Sequence, residues 1–270
     1  NLPKFYFNME DYEERNAASD IRKDIIRLKE QNMDGLVLDL RNNGGGSLKT
    51  VVDIAGLFIE EGPIVQVKSN GQRKDVLSDE DPSVLWDGPL VILVNELSAS
   101  ASEILAAAMQ DYKRAIIIGS KQTYGKGTVQ NVIDLNRWLR SNEFGDVGAL
   151  KLTTQKFYRV NGGSTQLEGV KSDVVVPDRY SFVDIGEKDQ DNPLPWDKID
   201  PANYRVWDGY VNFEKTITES KERMDTNQQL KLIELNGLKI KAKIVSIPLI
   251  LKNTLQRLKE TRKWQKGLIL

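Results

Sequence analysis

Short apolar runs alternate with amphipathic stretches along the first half of the chain. Three runs are short, rich in β-branched residues and bounded by turn residues, as buried strands are: GLVLDL (35–40), PLVILV (89–94) and AIIIG (115–119). Three other stretches have apolar residues at helical spacing: IRKDIIRLKEQ (21–31), LKTVVDIAGLFIEEG (48–62) and SEILAAAMQDYKR (102–114). Alternation of strand, turn and helix predicts an α/β core with helices packed on a largely parallel sheet.

Polar residues mark the ends of these elements. Ser19 and Asp20 are predicted to cap the first helix. PIVQVKS (63–69) is predicted to be a strand that leads into a polar hairpin region at Asn70-Gly71. LTTQKFYRV (152–160) continues a β-rich region.

The composition changes near residue 184, where the chain becomes polar and rich in Asp and Pro. We therefore expect a core domain at residues 1–185 that is large enough to be catalytic, a linker at 186–204 and a mainly helical region at 205–270. Within that last region, two charged helices and one apolar strand are predicted: NFEKTITESKERM (212–224), TLQRLKETRKWQ (254–265) and IVSIPLIL (244–251).

The composition is that of an ordinary globular protein. The chain has 270 residues, of which 40% are hydrophobic and 29% charged, and its formal net charge is −1. No global electrostatic field therefore attracts nucleic acid or anionic lipid, and no nucleic-acid partner is expected. The first residues do not resemble a signal peptide, and because the chain starts at Asn1 we expect it to be a fragment of a longer protein.

The chain contains no histidine and no cysteine. Ser-His-Asp catalysis, histidine-based zinc sites, thiolate chemistry and disulfides are thereby excluded. Catalysis would have to use Asp, Glu, Lys, Tyr, Ser, backbone groups or an added cofactor.

Two glycine-rich loops follow predicted strands. The first, GGGS (44–47), exposes backbone amides at a helix start, which suits a phosphate or an oxyanion but equally a tight turn. The second, GSKQTYGKGTVQ (119–130), resembles a phosphate-binding loop, but its glycine spacing is one residue too long and Gly127 replaces the Ser or Thr that would bind Mg²⁺.

Three alternating serines, Ser98, Ser100 and Ser102, precede the third helix. Without histidine, the available nitrogen base is a lysine whose pKa burial has lowered. Lys126 follows the next strand, so its loop would meet the serine turn at one end of a parallel sheet. Spacing alone does not choose between the serines, and Ser102 with Glu103 also fits a helix cap.

Four segments in this order resemble the C-terminal processing peptidases, and most closely their tail-specific branch: DLRNNGGGS (39–47), SASASEILAAAMQDYKRA (98–115), GKGTVQ (125–130) and QKFYRVNGGSTQLEGV (155–170). The resemblance is dense over residues 1–204 and patchy beyond. It implies a crotonase/Clp-protease-like α/β fold with a helical C-terminal extension. It also implies a serine endopeptidase with a Ser–Lys pair and no metal or cofactor.

Carried over by motif, the resemblance implies a role for eight residues. Ser100 would be the nucleophile, Lys126 the general base and Gln130 the residue that orients the lysine. Gly45, Gly46 and Ala101 would supply the oxyanion hole, and Glu103 and Thr123 would support the site.

The resemblance further implies substrates that are unfolded or flexible proteins with apolar C-termini. It implies a bacterial periplasmic or envelope location, an upstream PDZ domain in the full-length protein and a possible adaptor lipoprotein. Two departures from the family pattern are expected to be local: Lys126 lies 26 positions after Ser100, one more than usual, and residues 169–173 read GVKSD. The alternatives are a catalytically silent binding module on the same fold and a nucleotide-binding protein.

Overall fold

Two four-stranded sheets and the helices between them form the body of the protein in the computed structural model, which describes residues 1–138, 145–209 and 212–242. The elements in chain order are α1 (Ala17–Glu30), β1 (Leu36–Asp39), α2 (Leu48–Ala55), β2 (Gly62–Lys68), β3 (Asp75–Asp79), β4 (Leu90–Val94), α3 (Ala101–Asp111), β5 (Ile116–Gly119), β6 (Thr128–Asp134), β7 (Ala149–Tyr158), β8 (Val174–Val175) and α4 (Phe213–Thr226). Residues 228–242 are also helical.

The three apolar runs are neighbouring strands of a parallel sheet with the order β1-β4-β5-β8. Strand β4 pairs in parallel with β5, and Val94 lies opposite Gly119 at the carboxyl ends of the two strands. The serine turn that follows β4 and the lysine loop that follows β5 therefore start at the same sheet edge, as the sequence predicts.

The second sheet is antiparallel, with the order β3-β2-β7-β6. Strands β2 and β3 form the predicted hairpin, and β6 and β7 form a second, longer one. The expectation of a largely parallel sheet therefore holds for one sheet only. Alternating and continuous apolar patterns do not reveal which strands pair, because pairing is decided by contacts distant in sequence.

Helix α3 lies in the centre of the core. Every residue from Ala101 to Met109 is buried, and the helix contacts β2 of the antiparallel sheet and β5 of the parallel sheet. Burial on all faces is typical of a core helix. Its run of small alanines allows the helix backbone to approach both sheets closely. The turn at the start of this helix is consequently held from both sides.

Two predicted helix bounds are wrong. Helix α1 starts at Ala17, and its cap is Asn16 rather than Ser19-Asp20; the Asn16 Oδ1 accepts the Ser19 N–H at 2.8 Å. Helix α2 ends at Ala55 instead of continuing to residue 62. The Leu57 carbonyl accepts the amides of Leu85 and Trp86, so a tertiary contact replaces the continuing helix.

Residues 186–204 contain no regular element beyond a short 3₁₀ turn at Glu187–Asp189. The segment nonetheless lies along the core: the Ile199 amide donates to Gly162 O at 2.9 Å and the Ala202 amide to Val160 O at 2.8 Å. These backbone hydrogen bonds hold the segment against the core.

Helix α4 confirms the first helix predicted in the C-terminal region. The helical residues 228–242 were not predicted, and the predicted elements at 244–251 and 254–265 lie outside the described residues. Within residues 1–138, 145–209 and 212–242, no helix is long and apolar enough to cross a membrane.

Asn16→Ala should lower the free energy of unfolding by about 1 kcal/mol, because it removes the side-chain acceptor at the start of α1. Urea denaturation of the variant measures the change. Glu30→Ala, at an exposed position in the last turn of the same helix, is the control and should change stability by less than about 0.5 kcal/mol. An unchanged midpoint for Asn16→Ala would contradict the assigned cap.

Candidate active site

Ser100 occupies a sharp turn between β4 and α3. Its backbone has φ 59° and ψ −114°, a conformation that is costly for a residue with a side chain and that recurs where strand-to-helix turns present a nucleophile. The Ser100 N–H donates to Glu103 Oε2 at 2.8 Å, which holds the turn. The side chain is half-buried and lines an open cleft.

The other two serines of the alternating motif are buried structural residues. The Ser98 hydroxyl donates to Leu40 O at 2.9 Å, and the Ser102 hydroxyl donates to Asn43 O at 2.8 Å. Both bonds tie the serine turn to the loop after β1. Of the three serines, Ser100 is the one that lines the cleft.

The carboxylate of Glu103 accepts four hydrogen bonds inside the protein. Its Oε1 accepts from the Thr123 hydroxyl at 2.6 Å and from the Gly125 amide at 2.7 Å. Its Oε2 accepts from the amides of Ser100 at 2.8 Å and Lys126 at 3.0 Å. One side chain thus connects the backbone of the serine turn with the backbone of the lysine loop.

Glu103 is completely buried. Burial raises its pKa to about 7, although the four donated hydrogen bonds act in the opposite direction. Buried carboxylates are stable only when their oxygens are satisfied, and both oxygens of Glu103 are. Thr123 completes this arrangement, because its Oγ1 also accepts the Val170 amide at 2.8 Å.

Lys126 reaches into the same cleft and donates from Nζ to Gln130 Oε1 at 3.1 Å. Its pKa is lowered, mainly by burial of the amine and further by the nearby positive charge of Lys151. The negative charges of Glu187 and Glu103 act against this shift. A lowered pKa increases the neutral fraction of the amine, which is the form that accepts a proton.

Two residues that the sequence analysis missed hold the lysine loop. The Thr165 hydroxyl donates to Lys126 O at 2.8 Å, and the Gly127 amide donates to Gln166 Oε1 at 2.8 Å. Both lie in the motif at 155–170 that contributed to the resemblance, but nothing in the spacing of that motif identifies their partners.

The glycine loop lies directly against the serine turn. Gly45 has φ 102°, and a Cβ added there would lie 2.8 Å from the Ser100 Cβ and 3.0 Å from the Ala101 nitrogen. The Gly45 amide, however, donates to Asn43 Oδ1 at 2.8 Å. The expectation that this N–H faces an oxyanion is therefore not met in this geometry, because the bond to Asn43 already occupies it.

The amides of Gly46 and Ala101 have no acceptor among the residues that the structure describes. Both residues line the cleft beside Ser100. Ala101 is the first residue of α3, where amides have no partner within the helix. Of the three residues predicted to form the oxyanion hole, Gly46 and Ala101 therefore have backbone N–H groups that can donate to a bound group.

Asn43 is a further residue of the site that the sequence analysis did not select. Its side chain is fully buried and joins the Gly45 amide to Leu2 O, to which Nδ2 donates at 2.7 Å. Its carbonyl accepts the Ala99 amide and the Ser102 hydroxyl. Its position before the three glycines is the only sequence signal for this role.

Together these elements surround one cleft of about 420 Å³. Ser100, Lys126, Gln130, Gly45, Gly46 and Ala101 all line it, whereas Glu103 and Thr123 are buried behind it. Four larger apolar side chains also line it, together with Pro3, Lys4, Gly44 and Lys151: Leu48, Ile104, Val129 and Phe157. The described residues contain no cluster of acidic side chains that could hold a metal ion.

The two departures from the family pattern are local. Lys126 lies in the cleft and bonds to Glu103 and Gln130 despite the longer preceding loop. In the GVKSD turn, the Ser172 hydroxyl donates to Ser120 O at 2.7 Å. The turn is thus tied to the start of the longer loop.

Known proteins that resemble this chain in sequence are proteases. Residues 4–176 match peptidase family S41, and residues 180–265 match the C-terminal domain of tail specific protease. The tail-specific protease of Haemophilus influenzae is 46% identical over 242 residues, which are 86% of this chain and 33% of that protein. The carboxy-terminal-processing protease of Bartonella bacilliformis is 39% identical over 174 residues, or 63% of this chain and 37% of that protein.

Solved structures show the same fold. The photosystem II D1 C-terminal processing protease has a TM-score of 0.53 and 32% identity, and the match covers 65% of this chain and 42% of that chain. Mature CPAF has a TM-score of 0.50 at 15% identity over 65% of this chain and 46% of that chain, which is a likeness of fold alone. The chain spans only about a third of the length of the two curated relatives described above.

Glu103→Gln should destabilise the protein by about 2–4 kcal/mol, because the new NH₂ group faces donors and leaves buried amides or the Thr123 hydroxyl unsatisfied. Urea denaturation measures the loss. The exposed Glu168→Gln is the matched control and should change stability by less than about 0.5 kcal/mol. Equal stability of the two variants would show that the buried carboxylate does not hold the loops together.

Proposed function

Because the chain belongs to peptidase family S41, we propose that it carries the catalytic part of a serine endopeptidase in which Ser100 and Lys126 act as nucleophile and base. The observation that carries this proposal is the pair of bonds from the Ser100 and Lys126 amides to one carboxylate oxygen of Glu103. These bonds hold the two loops beside one cleft.

In the proposed reaction, the neutral Lys126 amine removes the proton from the Ser100 hydroxyl while Oγ attacks the carbonyl carbon of a peptide bond. A tetrahedral oxyanion forms. Lys126 then delivers the proton to the leaving amine, the C–N bond breaks and an acyl-enzyme remains. A water molecule, deprotonated by the same amine, hydrolyses the ester and restores the serine.

The oxyanion would be bound by the amides of Gly46 and Ala101, which line the cleft and have no acceptor in the described part of the chain. Such donors are effective because they are fixed in place before charge develops. The position of Ala101 at the first turn of α3 adds the positive end of the helix dipole. Asn43 positions the glycine loop without contacting the reacting atoms.

Gln130 fits the role of orienting the base. Its Oε1 accepts one hydrogen of the Lys126 amine, which restricts the long lysine side chain to one direction. Gln130 is neutral, so this bond does not stabilise the charged ammonium as a carboxylate would.

A nucleotide-binding role for the second glycine loop is not supported. The amides of Gly125 and Lys126 donate to Glu103, and the amide of Gly127 donates to Gln166. Phosphate-binding loops need such amides free to face the anion. In this loop they are used to fix the loop itself.

For the whole protein, we propose substrates that are unfolded or flexible proteins with apolar C-termini, cleaved in a tail-dependent manner. We propose an upstream PDZ domain that captures the tail, a possible adaptor lipoprotein and a location in the periplasm or envelope of a bacterium. These proposals rest on family resemblance to longer proteins.

Ser100→Ala and Lys126→Ala should each lower the rate of cleavage of a flexible protein with an apolar tail by about 10²–10⁴-fold or more, since each removes one member of the dyad. The fragments are measured by gel densitometry and mass spectrometry.

Ser78→Ala and Lys121→Ala, at exposed positions outside the cleft, are the matched controls and should retain activity. Circular dichroism checks the fold of all four variants. Full activity of Ser100→Ala would reject the dyad, and tail binding without cleavage by the unchanged chain would favour a silent binding module.

The cleavage rate should fall as the pH is lowered through the pKa of Lys126, because protonation removes the base. The midpoint should lie below the usual lysine value of about 10.4. Lys151→Gln should move this midpoint to higher pH, because a neighbouring positive charge no longer disfavours the ammonium form. Lys121→Gln is the control; an equal shift in both variants would mean that Lys151 has no specific effect.

A further inference from the structure

The cleft is lined by two lysines besides the base and by no aspartate or glutamate among the described residues. They are Lys4, from the N-terminal segment, and Lys151, from β7. We propose that this cleft selects substrate segments in which a carboxylate lies close to the scissile bond. The inference rests on the proposed peptidase function and specifies the substrate class of that same site.

Lys4 is held in place by the backbone next to the glycine loop. The Phe5 amide donates to Gly45 O at 3.1 Å, and the Ser47 amide donates to Phe5 O at 2.9 Å. The Phe5 side chain is buried, so in this extended segment the neighbouring Lys4 side chain points to the opposite, solvent-facing side. This places a cation on the wall formed by the N-terminal segment and the glycine loop.

Lys151 belongs to the other wall. It lies on β7 opposite Val132 of β6, in the hairpin that begins directly after the lysine loop. Its charge is close enough to Lys126 to contribute to the lowered pKa of that amine. The two additional cations therefore approach the reacting groups from two separate segments of the chain.

Neither ammonium group has an ion-pair or hydrogen-bond partner in the part of the chain that the structure describes. Other lysines do: Lys113 pairs with Glu214 at 2.8 Å and Lys156 with Asp197 at 3.1 Å. Lys4 and Lys151 are both exposed, so they cost little desolvation and can meet an incoming anion. The adjacent N-terminus of α3 has the same preference for negative charge.

The apolar wall restricts where the carboxylate can lie. Ile104 and Phe157 are buried and Leu48 and Val129 half-buried, so the residue at the bond to be cleaved fits if it is apolar. A suitable segment therefore combines an apolar residue with a carboxylate near it, either an acidic side chain or the free C-terminus of the substrate.

The test compares peptides that differ in the charge at a single position. Three quenched-fluorescence peptides share an apolar residue at the scissile position and carry Glu, Gln or Lys next to it, with amidated C-termini. Two more carry Gln and end in a free carboxylate or an amide close to the scissile bond. The ratios of kcat/KM within each set measure the preference.

The Glu peptide should be preferred over the Gln peptide by about tenfold at low salt, since one exposed ion pair contributes up to about fivefold and two are available. The preference should decrease in 0.5 M NaCl to about twofold or less. The free-carboxylate pair shows whether a terminal carboxylate is accepted as well.

Lys4→Gln and Lys151→Gln should each reduce the Glu/Gln ratio, and the double variant should bring it close to one. A ratio is used because Lys151→Gln also changes the basicity of Lys126 for every peptide. Lys239→Gln, at an exposed position outside the cleft, should leave the ratio unchanged.

Binding is measured separately on the Ser100→Ala chain by fluorescence anisotropy of the same peptide sequences, each labelled with a single fluorophore and no quencher. A Glu/Gln ratio of one in both cleavage and binding overturns the carboxylate preference and leaves the peptidase proposal intact. Absence of cleavage with charge-selective binding would instead reject the peptidase proposal and retain the carboxylate site. If the double variant still prefers the Glu peptide over the Gln peptide, the preference comes from groups other than Lys4 and Lys151.

Discussion

The buried carboxylate of Glu103 is the interaction on which the site depends. Its two oxygens accept four hydrogen bonds. One comes from the amide of Ser100 in the serine turn, and three come from the lysine loop: from the Thr123 hydroxyl and from the amides of Gly125 and Lys126. An ionisable group that is completely buried must satisfy both oxygens or lose its charge, and this requirement forces the loops after β4 and β5 to approach each other. The same contact compensates for the unfavourable backbone conformation of Ser100.

The hydrophobic core fixes the position of the serine turn that takes part in this contact. Helix α3 is buried between two sheets of different type, so the serine at its start cannot move without disturbing both. On the opposite side, Asn43 links the glycine loop to the N-terminal segment and to the serine turn. The proposed nucleophile, base and amide donors thus come from three loops that are fixed by buried polar bonds. Disulfide links cannot contribute, because the chain contains no cysteine.

The pattern of the chain predicted the parallel strands, the central helix and the edge at which the site lies, because short apolar runs and helical periodicity are local properties. It did not predict the antiparallel sheet as a separate layer or the early end of α2. Both depend on contacts between residues far apart in sequence, such as those from Leu57 to Leu85 and Trp86. The cap of α1 was misassigned because Asn16, Ser19 and Asp20 are all good capping residues.

For the site, the sequence by itself determined which chemistry is available: with no histidine or cysteine, a serine nucleophile needs a lysine base. The position of its loop after the next strand pointed to Lys126, and family resemblance selected Ser100, which alternation alone could not. Only the tertiary structure decided that Ser98 and Ser102 are buried and bonded to backbone carbonyls while Ser100 lines the cleft. It also decided that the Gly45 amide is occupied and that Lys4 and Lys151 share the cleft, because hydrogen-bond partners and the approach of charges depend on three-dimensional proximity.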